Sequence, residues 1–266
     1  MPSWNPDLYL KFADERTRPA RDLAIRARSC LAGRIRAEGE ESLGVVDLGC
    51  GPGNSTAVVA ECFPHAAILG LDSSPEMIAS ARKTGTRAEW VVADVSAWDC
   101  DRKFDLVFSN AMLQWVPDQK ALLERMASWL APGGAIAVQV PGNGASPLHL
   151  ALKSAADSWQ GPGRFAGLDD AMRYREPEFY HDELSSLGLA SDIWETTYWH
   201  RMDTQERLVE WYSGTGMRPW LDRLEGEAER EAFKGDVLAR ARDAYPVRAD
   251  GSVLFPFRRI FFTATR

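Results

Sequence analysis

The chain has 266 residues, 45% of them hydrophobic, and a formal net charge of −7. That length suits one large α/β domain, or one domain carrying an inserted cap. An acidic surface repels nucleic acid and anionic membrane, so neither is an expected partner. The cysteines Cys30, Cys50, Cys62 and Cys100 form no C-x-x-C pair and have no histidine pattern beside them. Reduced thiols in a cytoplasmic protein are the expectation, with no metal. The opening Met1-Pro2-Ser3-Trp4-Asn5-Pro6 lacks a signal-peptide pattern, and no apolar run approaches the ~18 residues of a membrane span.

Residues 1–18 read as irregular and aromatic. They also open an arginine-rich stretch running to Arg36, most of which reads as a solvated helix face. A helix is predicted over 19–37, with Leu23, Ala24, Ala27 and Leu31 at helical spacing. From residue 43 a regular alternation begins. Leu43–Leu48 is a short apolar strand. A helix follows over 54–63, with Asn54, Ser55 and Thr56 as cap candidates. Ala67–Leu71 is a second strand, and Ser73 or Ser74 caps a helix from Pro75 to Lys83. Ala88–Ala93 and Phe104–Ser109 are the third and fourth strands. Asp118–Leu130 is a helix ended by Pro132-Gly133-Gly134, and Ala135–Val140 is the fifth strand. This pattern predicts an α/β fold, a doubly wound and mostly parallel sheet with helices on both faces. Further on, helices are expected at 148–160, 179–187, 204–215 and 226–244, and a loop at 161–177. Strands at 191–202 and 253–265 suggest an antiparallel pair at one sheet edge, with the helices between them as a cap.

The strongest local signal is Val45-Val46-Asp47-Leu48-Gly49-Cys50-Gly51-Pro52-Gly53-Asn54, which runs strand, glycine turn, helix start. Open parallel sheets bind ligands at the carboxyl ends of strands near the topological switch point. Glycines let the backbone turn tightly and approach a ligand without Cβ clashes. The spacing is D-x-G-x-G-x-G. It differs from the dinucleotide pattern G-x-G-x-x-G, because Asn54 stands where the third glycine belongs, and it lacks the lysine of a P-loop. The segment resembles motif I of the Rossmann-like methyltransferases that use S-adenosyl-L-methionine (SAM). The resemblance implies a class I methyltransferase fold and SAM as cofactor, with Gly49, Cys50, Gly51 and Asn54 around it.

Asp72 ends the second strand, where a carboxylate can accept from both ribose hydroxyls, with Ser73 beside it. By the same resemblance, Asp94 and the backbone of Val95 lie near the adenine. A turn-forming aspartate is the alternative there. Asn110, Gln114 and Trp115 follow the fourth strand, which in such enzymes faces the methionine part. Core packing is the alternative for Trp115. Asp47 is expected to orient the glycine turn, or to reach the cofactor amine through neighbours, and not to touch the methyl group.

The run Trp4–Pro19 is similar to that of the trans-aconitate 2-methyltransferase family. So are Asn110–Trp115, Asp192–Tyr198 and Thr215–Leu221. The last of these falls in the expected cap, and Asp192–Tyr198 in the strand before it. This closer resemblance implies transfer of a methyl group from SAM to a carboxylate of trans-aconitate, forming a monomethyl ester. A carboxylate is ionised at pH 7 and needs no general base, so no catalytic residue is expected beyond those that align the reactants. A small tricarboxylate needs cations that stay charged, and arginine forks suit it. The substrate candidates are Arg16, Arg18, Arg218 and Arg259, with Tyr9 and Trp220 as aromatic walls. For Arg16, Arg18 and Arg259, salt bridges or surface exposure remain alternatives. The expected organisation is a segment at 1–42 covering the active site, a SAM-binding core at 43–140, and a part at 141–266 that completes the sheet and carries the substrate cap. Two rival activities stand beside this one: methyl transfer to another small or carrier-bound acid, and nicotinamide-dependent oxidoreduction. Oligomeric state is open.

Overall fold

The computed structural model describes residues 13–159, 163–168 and 172–266, side chains from residue 17 onward. These fall into two compact units. The first, built from 13–141, 175–196 and 259–266, holds the sheet; the second, from 142–174 and 197–258, is mainly helical.

In the sheet unit, α1 (Ala13–Cys30) and α2 (Ala32–Glu38) precede β1 (Gly44–Leu48), α3 (Asn54–Cys62), β2 (Ala67–Asp72), α4 (Pro75–Ala81) and β3 (Glu89–Val92). Then come β4 (Phe104–Asn110), α5 (Gln119–Ser128), β5 (Leu130–Pro141) and α7 (Pro177–Ser186). Two long strands, β6 (Ala190–Met202) and β7 (Val253–Thr265), belong partly to each unit. The helical unit holds α6 (Pro147–Ser158), α8 (Glu206–Ser213), α9 (Arg218–Leu221) and α10 (Gly226–Ala241).

The sheet order is β3-β2-β1-β4-β5-β7-β6. Strands β1 to β5 pair in parallel, and β7 pairs antiparallel with β5. The two late strands thus close one edge of the sheet as expected, with β7 beside β5 and β6 outermost. Val45, Val46, Leu48, Leu106, Val107, Phe108 and Ala135–Val138 are all fully buried. Strands covered on both faces read as continuous apolar runs, which is how these read in sequence. The order reverses between β1 and β4, so their carboxyl ends flank the switch point.

Helix α1 starts earlier than residue 19 and carries Pro19 inside it. Proline costs a helical hydrogen bond there. Burial of Ala20, Leu23, Ala24 and Ala27 on one face offsets that loss. The helix pauses at Leu31 before α2. Pro132-Gly133-Gly134, read as a helix terminator, instead sits within β5. The β4–β5 register shifts between Phe104 and Leu106 there. Gly133 has φ +72°, and a Cβ on Gly134 would lie 3.0 Å from the Phe104 carbonyl, so glycine permits this bulge. Three features were not anticipated: α9, and the 3-10 turns over Glu40–Ser42 and Leu113–Trp115.

In the helical unit, Arg240 of α10 donates to Ser154 Oγ at 2.9 Å and Ser158 Oγ at 2.7 Å of α6. Leu148, Leu152, Phe233, Val237, Trp211 and Trp220 form its core. Among the described residues, no helix is long and apolar enough to cross a membrane, and no side-chain cluster suits a metal ion.

Candidate cofactor site

The loop after β1 turns on three left-handed glycines, Gly49 (φ +71°), Gly51 (φ +55°) and Gly53 (φ +94°). Gly49 and Cys50 both donate their N–H groups to the Leu71 carbonyl, at 2.8 and 2.9 Å, which ties the loop to β2. At Gly49 a Cβ would stand 2.2 Å from Met112 Cγ, so this glycine is required by the loop after β4. Gly51 differs, because a Cβ there meets nothing within 4 Å. Its open side is a place where a ligand can approach the backbone.

Asp47 is fully buried and its Oδ2 accepts from Ser55 Oγ and Thr56 Oγ1, both at 2.7 Å. Ser55 and Thr56 are therefore not helix caps. Gly53 takes the N-cap position of α3 without a side-chain bond, and the two hydroxyls fasten the helix start to the end of β1. Burial pushes the Asp47 carboxyl up to about 6, against the pull of the two hydroxyls. Through these two bonds Asp47 links the strand before the glycine turn to the helix after it. Burial, followed by the nearby Asp47 and Asp72 carboxylates, pushes the Cys50 thiol far up. Cys50 Sγ lies close beneath Gly70, so this residue offers a ligand its backbone and not its side chain.

Asp72 closes β2. Its Oδ2 accepts the Gly51 N–H at 3.0 Å, and its Oδ1 accepts the Ser74 N–H at 2.9 Å. A carboxylate has about four lone-pair sites, so each oxygen keeps capacity for a ribose hydroxyl. Burial, the largest influence, raises its pKa against these bonds. Ser74, not Ser73, caps α4 by accepting from the Met77 N–H at 3.2 Å.

Asp94 is exposed and accepts the Ser96 N–H at 2.9 Å, while its carbonyl takes Trp98 N–H at 2.7 Å. It thus forms the turn after β3 as well as standing open to solvent. Val95 sends its side chain into the core and has only its backbone to offer.

Past β4, Ala111 adopts φ +57°, the one left-handed non-glycine among the described residues. Gln114 Nε2 donates to the Ala111 carbonyl at 2.6 Å and holds this conformation. The buried Asn110 Oδ1 and Gln114 Oε1 have no hydrogen-bond partner among the described residues. Buried acceptors seldom stay unpaired, and their position beside the switch point fits an absent ligand that brings donors. Trp115 is partly buried. The open cradle at Gly51, the half-used carboxylate of Asp72 and the orphan acceptor of Asn110 together fit a nucleoside bearing an ammonium group. Asn54, Ser73, Asp94 and Val95 line the same loops.

The substrate candidates are more scattered. Tyr9 and the Arg16 side chain lie outside the described residues. Arg18 is exposed on α1. Arg218 pairs with Asp222 at 2.9 Å within α9 and its turn. Trp220 is 1% exposed and packs edge-on to His149, so it is a core residue of the helical unit more than a wall. Arg259 is 6% exposed, which removes the surface alternative. It lies 3.5 Å from Gln139 Oε1 through Nη1. Gln139 was missed in sequence, although a lone amide within Ala135–Val140 was a visible signal. His200 is buried among Trp211, Phe255 and Phe257.

A family profile describing a methyltransferase domain matches residues 45–134. The trans-aconitate 2-methyltransferase of Azoarcus sp. (strain BH72) is 42% identical over 266 residues, covering 100% of both chains. That of Methylobacterium nodulans is 46% identical over 268 residues, covering 100% of this chain and 99% of its own. The chain belongs to the trans-aconitate 2-methyltransferase family. Among solved structures, the plantazolicin methyltransferase BpumL in complex with S-adenosylhomocysteine superposes with a TM-score of 0.54 at 14% identity, covering 98% of this chain and 90% of its own. That likeness shows the fold: a class I methyltransferase sheet. Membership of the family covers residues well beyond the matched domain, including the whole helical unit.

Proposed function

We propose that this protein transfers the methyl group of SAM to one carboxylate of trans-aconitate and releases the monomethyl ester. The observation that carries the reading is the full-length relationship to trans-aconitate 2-methyltransferases, at 42–46% identity. It extends through residues 142–174 and 197–258, outside the common methyltransferase core, where substrate choice belongs.

When bound, SAM supplies an electrophilic methyl group on a sulfonium whose leaving group is neutral. The residues of this chain bind and orient. Asp72 accepts from the ribose, Gly51 admits the cofactor close to the backbone on the turn that Gly49 begins, and Asn110 accepts from its ammonium. Cys50, Asn54, Ser73, Asp94, Val95, Gln114 and Trp115 complete the cofactor's surroundings, some through backbone alone. The nucleophile is a substrate carboxylate already ionised at pH 7, so no proton has to be taken by a side chain. The chain's task is alignment and exclusion of water. Arg16, Arg18 and Arg259 with Tyr9, and separately Arg218 of the helical unit, are the candidates for the tricarboxylate, while the buried Trp220 serves the helical core. A cytoplasmic location and a helical unit devoted to the substrate belong to the same reading.

Incubation with methyl-labelled SAM and a panel of small di- and tricarboxylic acids tests it. Label is expected in a base-labile ester of trans-aconitate. Label in another acid of the panel instead, or in none, refutes it.

A further inference from the structure

Gln139 stands near the carboxyl end of β5, opposite Asn110 of β4 and Phe261 of β7. Register partners share a face of the sheet, and so do residues two apart on one strand. Asn110, Gln139, Phe261 and Arg259 therefore line one face. Three of the four are polar, with Phe108 and Ala137 behind them on the same face. Gln139 is fully buried and Arg259 nearly so.

The orientation of the Gln139 amide is fixed by chemistry. A guanidinium only donates, so the atom facing Arg259 Nη1 must be the carbonyl Oε1. The amide nitrogen is thereby turned elsewhere, and Nε2 is a buried donor with no hydrogen-bond partner among the described residues. Such a group destabilises the fold if nothing ever pairs with it. The orphan Gln139 N–H thus stands beside a guanidinium, and a donor next to positive charge suits a planar, anionic acceptor.

We propose that Gln139 and Arg259 form the seat for a carboxylate of the substrate that is not being methylated. This rests on the trans-aconitate reading above and names the residue that sets specificity within it. The cofactor's own carboxylate is the competing source of the same chemistry. Distance favours the substrate. The glycine turn follows β1, and Arg259 is on β7, three strands away. At roughly 4.8 Å per strand, Gln139 stands roughly 5 Å and Arg259 roughly 10 Å beyond Asn110, on the side away from the cofactor loop, so a carboxylate held by both reaches out to the Arg259 distance. In an amino acid the carboxylate lies much closer to the ammonium than that.

The test compares the wild type with Gln139→Leu, which keeps the volume and removes the donor, and Gln139→Glu, which sets an anion against Arg259. Calorimetric titration measures S-adenosylhomocysteine binding, then trans-aconitate binding in its presence, and thermal melting checks the fold of each variant. Trans-aconitate affinity is expected to fall about tenfold in Gln139→Leu and further in Gln139→Glu, with S-adenosylhomocysteine affinity unchanged. Loss of S-adenosylhomocysteine affinity with trans-aconitate affinity intact overturns the assignment in favour of the cofactor's carboxylate. Unchanged binding of both in folded variants overturns the seat altogether. Should Gln139→Glu fail to fold, Gln139→Leu alone decides. A wild type that binds S-adenosylhomocysteine but not trans-aconitate marks failure of the functional reading itself, and the seat falls with it.

Discussion

Asp72 and Gly51 are joined by a hydrogen bond from the Gly51 N–H to Asp72 Oδ2, 3.0 Å long. The same carboxylate that receives the ribose in the proposed complex thus also holds the middle of the glycine turn. Asp72→Ala removes both functions. Each hydrogen bond to a charged group contributes about 1.5–3 kcal/mol, so S-adenosylhomocysteine affinity should fall at least about a hundredfold. Titration calorimetry checks this, and an affinity within threefold of wild type would count against the ribose assignment.

Gly49 and Gly51 should respond differently to alanine. Gly49→Ala drives a methyl into Met112 and should destabilise the protein by about 3 kcal/mol or more. Gly51→Ala meets open space and should cost only about 1–2 kcal/mol of backbone strain. Its methyl should nevertheless obstruct the cofactor and weaken S-adenosylhomocysteine binding by more than about tenfold, or about 1.4 kcal/mol. Chemical denaturation and calorimetry together separate the two effects. Equal stability losses with equal binding would contradict this division.

Arg218→Ala should raise the KM for trans-aconitate about tenfold or more and spare S-adenosylhomocysteine affinity. Because Arg218 pairs with Asp222 at 2.9 Å, Asp222→Ala is the control. It should leave the KM for trans-aconitate near wild type or lower it. If both variants change kinetics alike, the arginine acts through its ion pair alone.

Two buried groups give opposite pH dependences in one window. His149, with Tyr212 Oη 2.6 Å from its Nδ1, is pushed down to about 4, first by burial and then by Lys153. Its folded pKa lies below the unfolded one, so its contribution is present above about pH 6.5 and is lost as pH falls through about 4. Asp47, raised by burial to about 6, has the reverse sign, and its contribution is lost as pH rises from about 4 to 6. Each amounts to about 3 kcal/mol at most. In the wild type these two should largely offset each other between pH 4 and 6. His149→Gln should then show stability falling with pH across that range, and Asp47→Asn should show it rising. Urea denaturation series at stepped pH provide the check; identical slopes in both variants would refute the assignment.

What the sequence disclosed was mostly what neighbouring residues decide. The strand–turn–helix of Val45–Asn54, the aspartate closing β2 and the proline after Ser74 are short-range signals, because backbone sterics and capping act over a few residues. The doubly wound order followed from the alternation of elements. Less visible were relations set by sheet register. Nothing near Gly49 shows that Met112, over sixty positions on, forbids a Cβ there. Nothing near Gln139 shows that Arg259 will fix its amide. Ser55 and Thr56 looked like caps because cap chemistry is local, whereas their acceptor Asp47 sits on the preceding strand. Pro19 and Pro132 looked like boundaries because proline's local preference is strong, and tertiary burial outweighed it at both.

The most direct measurement is a crystal structure of the protein grown with S-adenosylhomocysteine. The nucleoside should rest against the loop after β1, with its ribose hydroxyls on Asp72 and its ammonium within hydrogen-bonding distance of Asn110 Oδ1. A ligand bound elsewhere, or a ribose that leaves Asp72 untouched, would contradict the account.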